Sequence, residues 1–144
     1  LMWIKYNPNP TGRNVGDCAI RAVAKALEID WENAYMLVVA NGYEMGDMPS
    51  SNRVWKQYLK DKGYVEEMAQ NTCPDCLTVE KFCRLHPKGR YILSTCEYTK
   101  ANDGIMVTGT HVVAVIDGDY YHSWDSGAVV PLSYFYIYDK KRKD

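Results

Sequence analysis

The hydrophobic pattern changes its period once along the chain, and this change most constrains the fold. Up to about residue 87, apolar side chains recur at the three- and four-residue spacing of helices, and Pro87-Lys88-Gly89 ends the pattern. After that point, short runs rich in β-branched and aromatic residues are separated by turn sequences. Helices that precede an antiparallel sheet predict an α+β fold.

Four helices and five strands are expected. The helices are predicted over 18–28, after Asp30, after Ser50 or Ser51, and after Thr78. The strands are predicted at 91–96, 105–107, 111–116, 120–124 and 134–138. At 144 residues the chain is predicted to be a single domain, 1–144, with a helical half at about 15–87 and a sheet half at about 88–138.

Charge and hydropathy exclude several classes of partner. The net charge of −1 argues against a general nucleic-acid-binding surface. No run approaches the roughly 20 apolar residues that span a bilayer, and the first residues lack the layout of a signal peptide. Five cysteines do not form the even framework of a small secreted domain, so we expect free thiols and a cytoplasmic location.

Cys18 is predicted to lie in the first turn of a helix. Gly16-Asp17 is typical of a turn that ends in an N-cap, and the residues after Cys18 follow a helical apolar pattern. Free backbone N–H groups and the helix dipole favour an anion at this position. A thiolate should therefore form more easily on Cys18 than on an ordinary cysteine.

A base and a carboxylate follow on two neighbouring strands. His111 begins the strand 111–116, and the next strand, after the turn at 117–119, ends at Trp124 and Asp125. The two strand ends of a hairpin are neighbours, so His111 and Asp125 should lie close together. Cys18, His111 and Asp125 then form a candidate triad of nucleophile, base and orienting carboxylate.

The triad depends on the length of the hairpin turn, and the sequence allows two. A three-residue loop pairs His111 with Asp125 and places His122 on the opposite face of the sheet. A two-residue turn pairs His111 with Trp124, and Asp125 then faces away unless a bulge restores it. We favour the first register, with His122 structural and Trp124 as a candidate shield of the His–Asp pair.

Several strings in this order resemble the papain-like cysteine peptidase superfamily. They are Asp17-Cys18 at a helix start, the strand sequence HVVAVIDG at 111–118, and YHSWD at 121–125. The chain is most similar to the bacteriocin-processing branch and to small uncharacterised bacterial and phage proteins. The resemblance implies a papain-like fold, with the cysteine helix packed on an antiparallel sheet.

The resemblance also implies roles for individual residues. Cys18 would be the nucleophile, His111 the general base and acid, and Asp125 the residue that fixes the imidazole tautomer. The family commonly takes an oxyanion-hole donor from a Gln some six residues before the cysteine, where this chain has Gly12; Asn14 is the candidate replacement. The implied function is that of a cysteine hydrolase, which cleaves a peptide, isopeptide or amide bond by transferring the acyl group to its thiol. The substrate would be a peptide or protein, and no cofactor is expected.

Two other functions are compatible with the sequence. The chain could be a non-catalytic papain-like binding module, as the missing Gln suggests. It could also be a zinc-stabilised adaptor, since Cys73, Cys76, Cys83 and His86 have the spacing C-x2-C-x6-C-x2-H. The binding module needs no metal, and we expect no metal in the cysteine hydrolase either.

Two groups of basic residues are expected to be solvated. Arg21 and Lys25 are placed on the exposed face of the first helix. The run at 140–143 is expected to be a frayed tail.

Overall fold

The computed structural model describes residues 1–70, 75–101 and 104–137, and at 97–101 and 104–110 it describes the backbone only. Within these ranges the chain forms four helices and six strands. The helices are α1 (Cys18–Leu27), α2 (Trp31–Met45), α3 (Asn52–Asp61) and α4 (Val79–Leu85). The strands are β1 (Trp3–Lys5), β2 (Tyr64–Met68), β3 (Arg90–Ala101), β4 (Gly104–Ile116), β5 (Asp119–His122) and β6 (Val130–Ile137).

The strands form one mixed sheet in the order β1-β5-β4-β3-β6-β2. β1 runs parallel to β5, and the other neighbours are antiparallel. The α+β prediction is confirmed at this level. The short edge strands β1 and β2 were not predicted. β2 lies within the half of the chain, about 15–87, that was expected to be helical.

Helices cover both faces of the sheet. Alternate residues of β3 and β4, such as Ile92 and Val112, pack in a core with α1, α2 and α3. Their neighbours, such as Leu93 and Val113, pack in a second core with α4. This arrangement explains why β4 carries a nearly continuous apolar run, because a strand buried on both faces needs apolar residues at every position.

The helices bury the apolar side chains that recur at helical spacing. In α3 these side chains are all buried: Val54, Trp55, Tyr58 and Leu59. In α4, Val79 and Phe82 are buried, whereas Leu85 is 69% exposed. Leu85 is the last residue of α4, next to the C-cap residue His86. None of the helices in the described part of the chain has the length and apolarity needed to cross a membrane.

Asp30 caps α2 as the sequence predicts, and its removal should have a modest cost. Its side chain accepts a hydrogen bond from the backbone N–H of Asn33 at 2.7 Å. We expect Asp30→Ala to lower the free energy of unfolding by about 1 kcal/mol, as measured by urea denaturation. Ser51→Ala is the matched control, because Ser51 is the N-cap of α3 but makes no side-chain cap bond within the described residues. Equal losses in the two variants would contradict this role of the Asp30 carboxylate.

Candidate active site

Cys18 is the first residue of α1, as the sequence predicts. Its thiol is free, and the residue is half-buried. Asp17 is the N-cap residue, but its side chain makes no cap hydrogen bond. The sulfur therefore lies at a helix N-terminus, where unpaired backbone N–H groups favour negative charge.

The Asp17 carboxylate is used for a buried ion pair instead of a cap. Its Oδ1 lies 3.4 Å from the Arg21 Nε, one helical turn away. Its Oδ2 accepts a hydrogen bond from the indole Nε1 of Trp31 at 2.8 Å. Asp17 and Arg21 are 7% and 6% exposed, so the expectation that Arg21 lies on a solvated face is wrong. The sequence signal for this pair was the spacing of four residues between opposite charges across the helix start.

The turn between β4 and β5 has two residues. Asp117 and Gly118 have φ of 49° and 81°, and Ile116 pairs with Asp119. Two consecutive left-handed residues are typical of a type I′ hairpin turn, for which Asp-Gly is a favoured sequence. The favoured three-residue register is therefore wrong, and continuing the observed one places Trp124 opposite His111. The two rings are in edge-to-face contact, with centroids 5.0 Å apart.

His122 lies beside His111 and not on the opposite face, because the shorter turn shifts the register by one residue. The two imidazole centroids are 6.0 Å apart. His122 is buried, and its Nδ1 accepts a hydrogen bond from the backbone N–H of Trp124 at 3.3 Å. Burial, and then the charges of Arg21 and His111, lower the pKa of His122 to about 4, so the ring is neutral near pH 7.

Asp125 is exposed, and its described hydrogen bonds both end on Oδ1. The donors are the Tyr120 hydroxyl at 2.5 Å and the Gly127 backbone N–H at 3.0 Å. The Tyr120 hydroxyl, followed by the Gly127 N–H, lowers the pKa of Asp125. A Cβ at position 127 would lie only 2.6 Å from the Tyr120 hydroxyl oxygen, so a larger residue there would displace the Tyr120 side chain from its present position. The role of Asp125 as the orienting carboxylate stays a prediction.

A cavity of ≈ 770 Å³ joins the start of α1 to the sheet. It is bounded by the loop before α1, by α1 and α2, and by residues of β4 and of the segment after β5. Among the residues that line it are Asn14, Cys18, Arg21, Trp31, His111 and Trp124. The nucleophile and base of the sequence prediction thus share one cavity with the candidate oxyanion donor Asn14.

The cysteine cluster does not form a recognisable metal centre in the described residues. Cys76 is disulfide-bonded, which corrects the expectation of free thiols there, whereas Cys18, Cys83 and Cys96 are free. Burial raises the pKa of Cys83 to about 12, and His86 stacks on Phe82 with centroids 3.9 Å apart. No group of three or more His, Cys, Asp or Glu side chains in the described ranges is placed to hold a metal. Cys73 and the basic run 140–143 lie outside the described residues.

No protein family model, curated protein or solved structure matches the chain. The likeness to papain-like peptidases therefore rests on the few residues named above.

Proposed function

We propose that the chain is a cysteine hydrolase that acts by thiol acyl transfer on a peptide, isopeptide or amide bond. One observation carries the proposal: Cys18, at the start of α1, and His111, on β4, line the same ≈ 770 Å³ cavity. A thiol at a helix N-terminus and a histidine that lines the same cavity are the two residue types that covalent acyl transfer requires. The packing of α1 on β4 also fits a papain-like arrangement of a cysteine helix on a sheet.

The reaction has two halves, and His111 moves the proton in both. In the first, the His111 imidazole takes the Sγ proton of Cys18, and the thiolate attacks the substrate carbonyl carbon. The tetrahedral intermediate collapses to a thioester, and the leaving amine takes the proton from the imidazolium. In the second, His111 takes a proton from water, the hydroxide attacks the thioester, and the carboxylic acid leaves as the thiol is restored.

The developing oxyanion needs donors on the same side of the cavity as Cys18. The backbone N–H groups of the first turn of α1 are available there, and the Asn14 side-chain amide lines the same cavity. We assign Asn14 the role that the family gives to Gln, because Gly12 has no side chain to donate.

Two rings pack around His111. Trp124 is in edge-to-face contact with it, and the His122 ring lies 6.0 Å from His111 and 4.8 Å from Trp124 between centroids. Asp125 remains the proposed orienting carboxylate. Its Oδ1 already accepts hydrogen bonds from Tyr120 and Gly127, so the role of Asp125 is tested separately with Asp125→Asn.

Cysteine alkylation against pH tests the pair directly. We expect iodoacetamide to label Cys18 at pH 6 about tenfold faster than an ordinary thiol with a pKa of about 8.5. In His111→Ala this rate should fall about tenfold, because the thiolate loses its imidazolium partner. The measurement is the rate at each cysteine by peptide mass spectrometry, from pH 5 to 9.

His86→Ala is the matched control, because His86 lies against Phe82 and not in the cavity. It should leave the Cys18 rate unchanged. Asp125→Asn should slow labelling if the carboxylate orients His111, and a wild-type rate would remove Asp125 from the site. A Cys18 that reacts like a free thiol in the wild type, with no change in His111→Ala, contradicts the hydrolase.

The alternative is a non-catalytic binding module that uses the same cavity. The observation in its favour is the Asp125 carboxylate, which is bonded to Tyr120 and Gly127. The alkylation experiment separates the two functions, because a binding module has no need for an activated thiol.

A further inference from the structure

An aromatic pair forms part of the cavity wall. The rings of Trp31 and Tyr35, one turn apart at the start of α2, are stacked with centroids 5.0 Å apart and an angle of 20° between their planes. Both residues line the cavity that contains Cys18. We call this pair the aromatic platform.

The aromatic platform is fixed to the start of the cysteine helix. The Trp31 Nε1 donates to Asp17 Oδ2 at 2.8 Å, and Asp17 precedes Cys18 in the chain. Asp17 is itself held by the buried ion pair with Arg21. The position of the indole is therefore set by the same residues that set the position of the nucleophile, and a ligand that contacts it loses little protein entropy.

The platform is covered by the protein on the Trp31 side only, where the indole packs against the core. Tyr35 is 42% exposed, whereas Ala34 and Val38 on the same helix are fully buried. A large aromatic side chain that faces a cavity and stays exposed gains from being covered by a ligand. The platform thus offers a flat, apolar contact in the same cavity as Cys18.

The charges of the cavity favour a neutral or anionic ligand over a cation on this platform. Arg13, Asp17 and Arg21 are the charged side chains among its lining residues, so one positive charge is in excess. A substrate cation could stack on Trp31 and Tyr35, but it would be repelled by this excess. An uncharged aromatic ring stacks without that cost.

We propose that the aromatic platform is the specificity subsite of this chain and takes an aromatic side chain beside the scissile carbonyl of a peptide or amide substrate. This inference rests on the proposed function, because it takes the acyl carbonyl to be at Cys18. The proposed function names no acyl group, whereas the platform of Trp31 and Tyr35 would select an aromatic one.

Alkylation by matched reagents tests the subsite. Iodoacetamide, N-benzyl-iodoacetamide and N-(2-aminoethyl)-iodoacetamide all react in the same way: the Cys18 sulfur displaces iodide from the CH2 group and a thioether forms. The measured quantity is the rate of alkylation by the benzyl reagent divided by the rate with iodoacetamide. We expect this benzyl ratio to be about fivefold higher at Cys18 than on glutathione. The aminoethyl reagent should show no gain.

Variants of two tyrosines on the same helix identify the source of the gain. Tyr35→Ala and Tyr35→Leu should both return the benzyl ratio to the glutathione value, since Leu keeps an apolar side chain without a ring. Tyr43→Ala is the matched control, because Tyr43 is 87% exposed on α2 and does not line the cavity. It should keep the wild-type ratio. Thermal melts of each variant check that the fold is retained.

Three outcomes overturn the subsite: a wild-type benzyl ratio equal to that of glutathione, a gain that persists in both Tyr35 variants, or a larger gain for the aminoethyl reagent. The hydrolase proposal fails in a different way, through the pH profile and the His111→Ala rate with plain iodoacetamide. A slow Cys18 with an intact benzyl preference would leave the platform as a binding site and remove the catalytic function.

Discussion

Arg21→Met is expected to lower the free energy of unfolding by about 3 to 5 kcal/mol. The substitution keeps much of the apolar volume of the side chain but leaves the Asp17 carboxylate buried without its cation. Asp17 is 7% exposed, so water reaches it poorly. Its remaining described hydrogen bond comes from Trp31, and one neutral donor does not replace a charge. Urea denaturation followed by tryptophan fluorescence measures the loss.

The chain offers a matched control for this experiment. Glu80 and Arg84 on α4 form an ion pair at the same i,i+4 spacing, but their side chains are 46% and 65% exposed. Arg84→Met should cost less than about 0.5 kcal/mol, because solvent screens an exposed pair. The double variant Asp17→Asn, Arg21→Met should be more stable than Arg21→Met alone, since both charges are removed together. Equal losses from Arg21→Met and Arg84→Met would contradict the buried pair.

Acid should destabilise the protein through His122 before its carboxylates titrate. The pKa of His122 falls from 6.5 to about 4 in the folded state, chiefly because the ring is buried. Folding therefore favours the neutral ring, and its contribution is fully present above pH 6.5 and is lost as the pH falls toward 4. The difference between the two pKa values corresponds to about 3 kcal/mol over this range.

His122→Asn separates this effect from other titrations. Asn keeps an acceptor near the Trp124 backbone N–H but does not titrate, so the loss of stability between pH 6.5 and 5 should be much smaller in the variant. The carboxylates act in a lower range: hydrogen bonds from Tyr134 and Tyr136 lower the pKa of Glu67 from 4.5, and the Tyr120 hydroxyl lowers the pKa of Asp125 from 3.8. Urea melts at half-unit pH steps measure the slope. A variant with the wild-type slope above pH 5 would contradict the assignment to His122.

The helices can be located from the amino-acid sequence because their signals are local. A cap such as Asp30 and an apolar period within α3 are contained in a dozen residues. β1 and β2 gave no such signal. β1 has only three residues, and it pairs with Tyr120–His122 near the other end of the chain. A short edge strand is defined by its partner, and no local pattern contains that information.

The positions of Cys18 and His111 in the fold could be predicted from the sequence, but the register of the β4–β5 hairpin could not. Cys18 at a helix start and His111 at a strand followed from local patterns, and both line one cavity. Whether Trp124 or Asp125 lies opposite His111 depends on whether the hairpin turn has two residues or three. The favoured three-residue loop was wrong, although the Asp117-Gly118 sequence carried the signal for the shorter turn. Arg21 was misplaced because its burial depends on the Asp17 carboxylate, and helical periodicity ranks a charged side chain as exposed.

The parallel pairing of β1 with β5 has a consequence for the order in which the molecule is completed. The Trp3 indole N–H donates to the backbone oxygen of His122, across a sequence separation of 119 residues. During synthesis from the N-terminus, Cys18 leaves the ribosome long before the strands that carry His111 and His122, and the first strand cannot dock until they follow. The nascent chain thus carries the Cys18 thiol before His111, the base of the proposed mechanism, has been made. On that mechanism the thiol can be activated only after β4 has been synthesised and packed against α1.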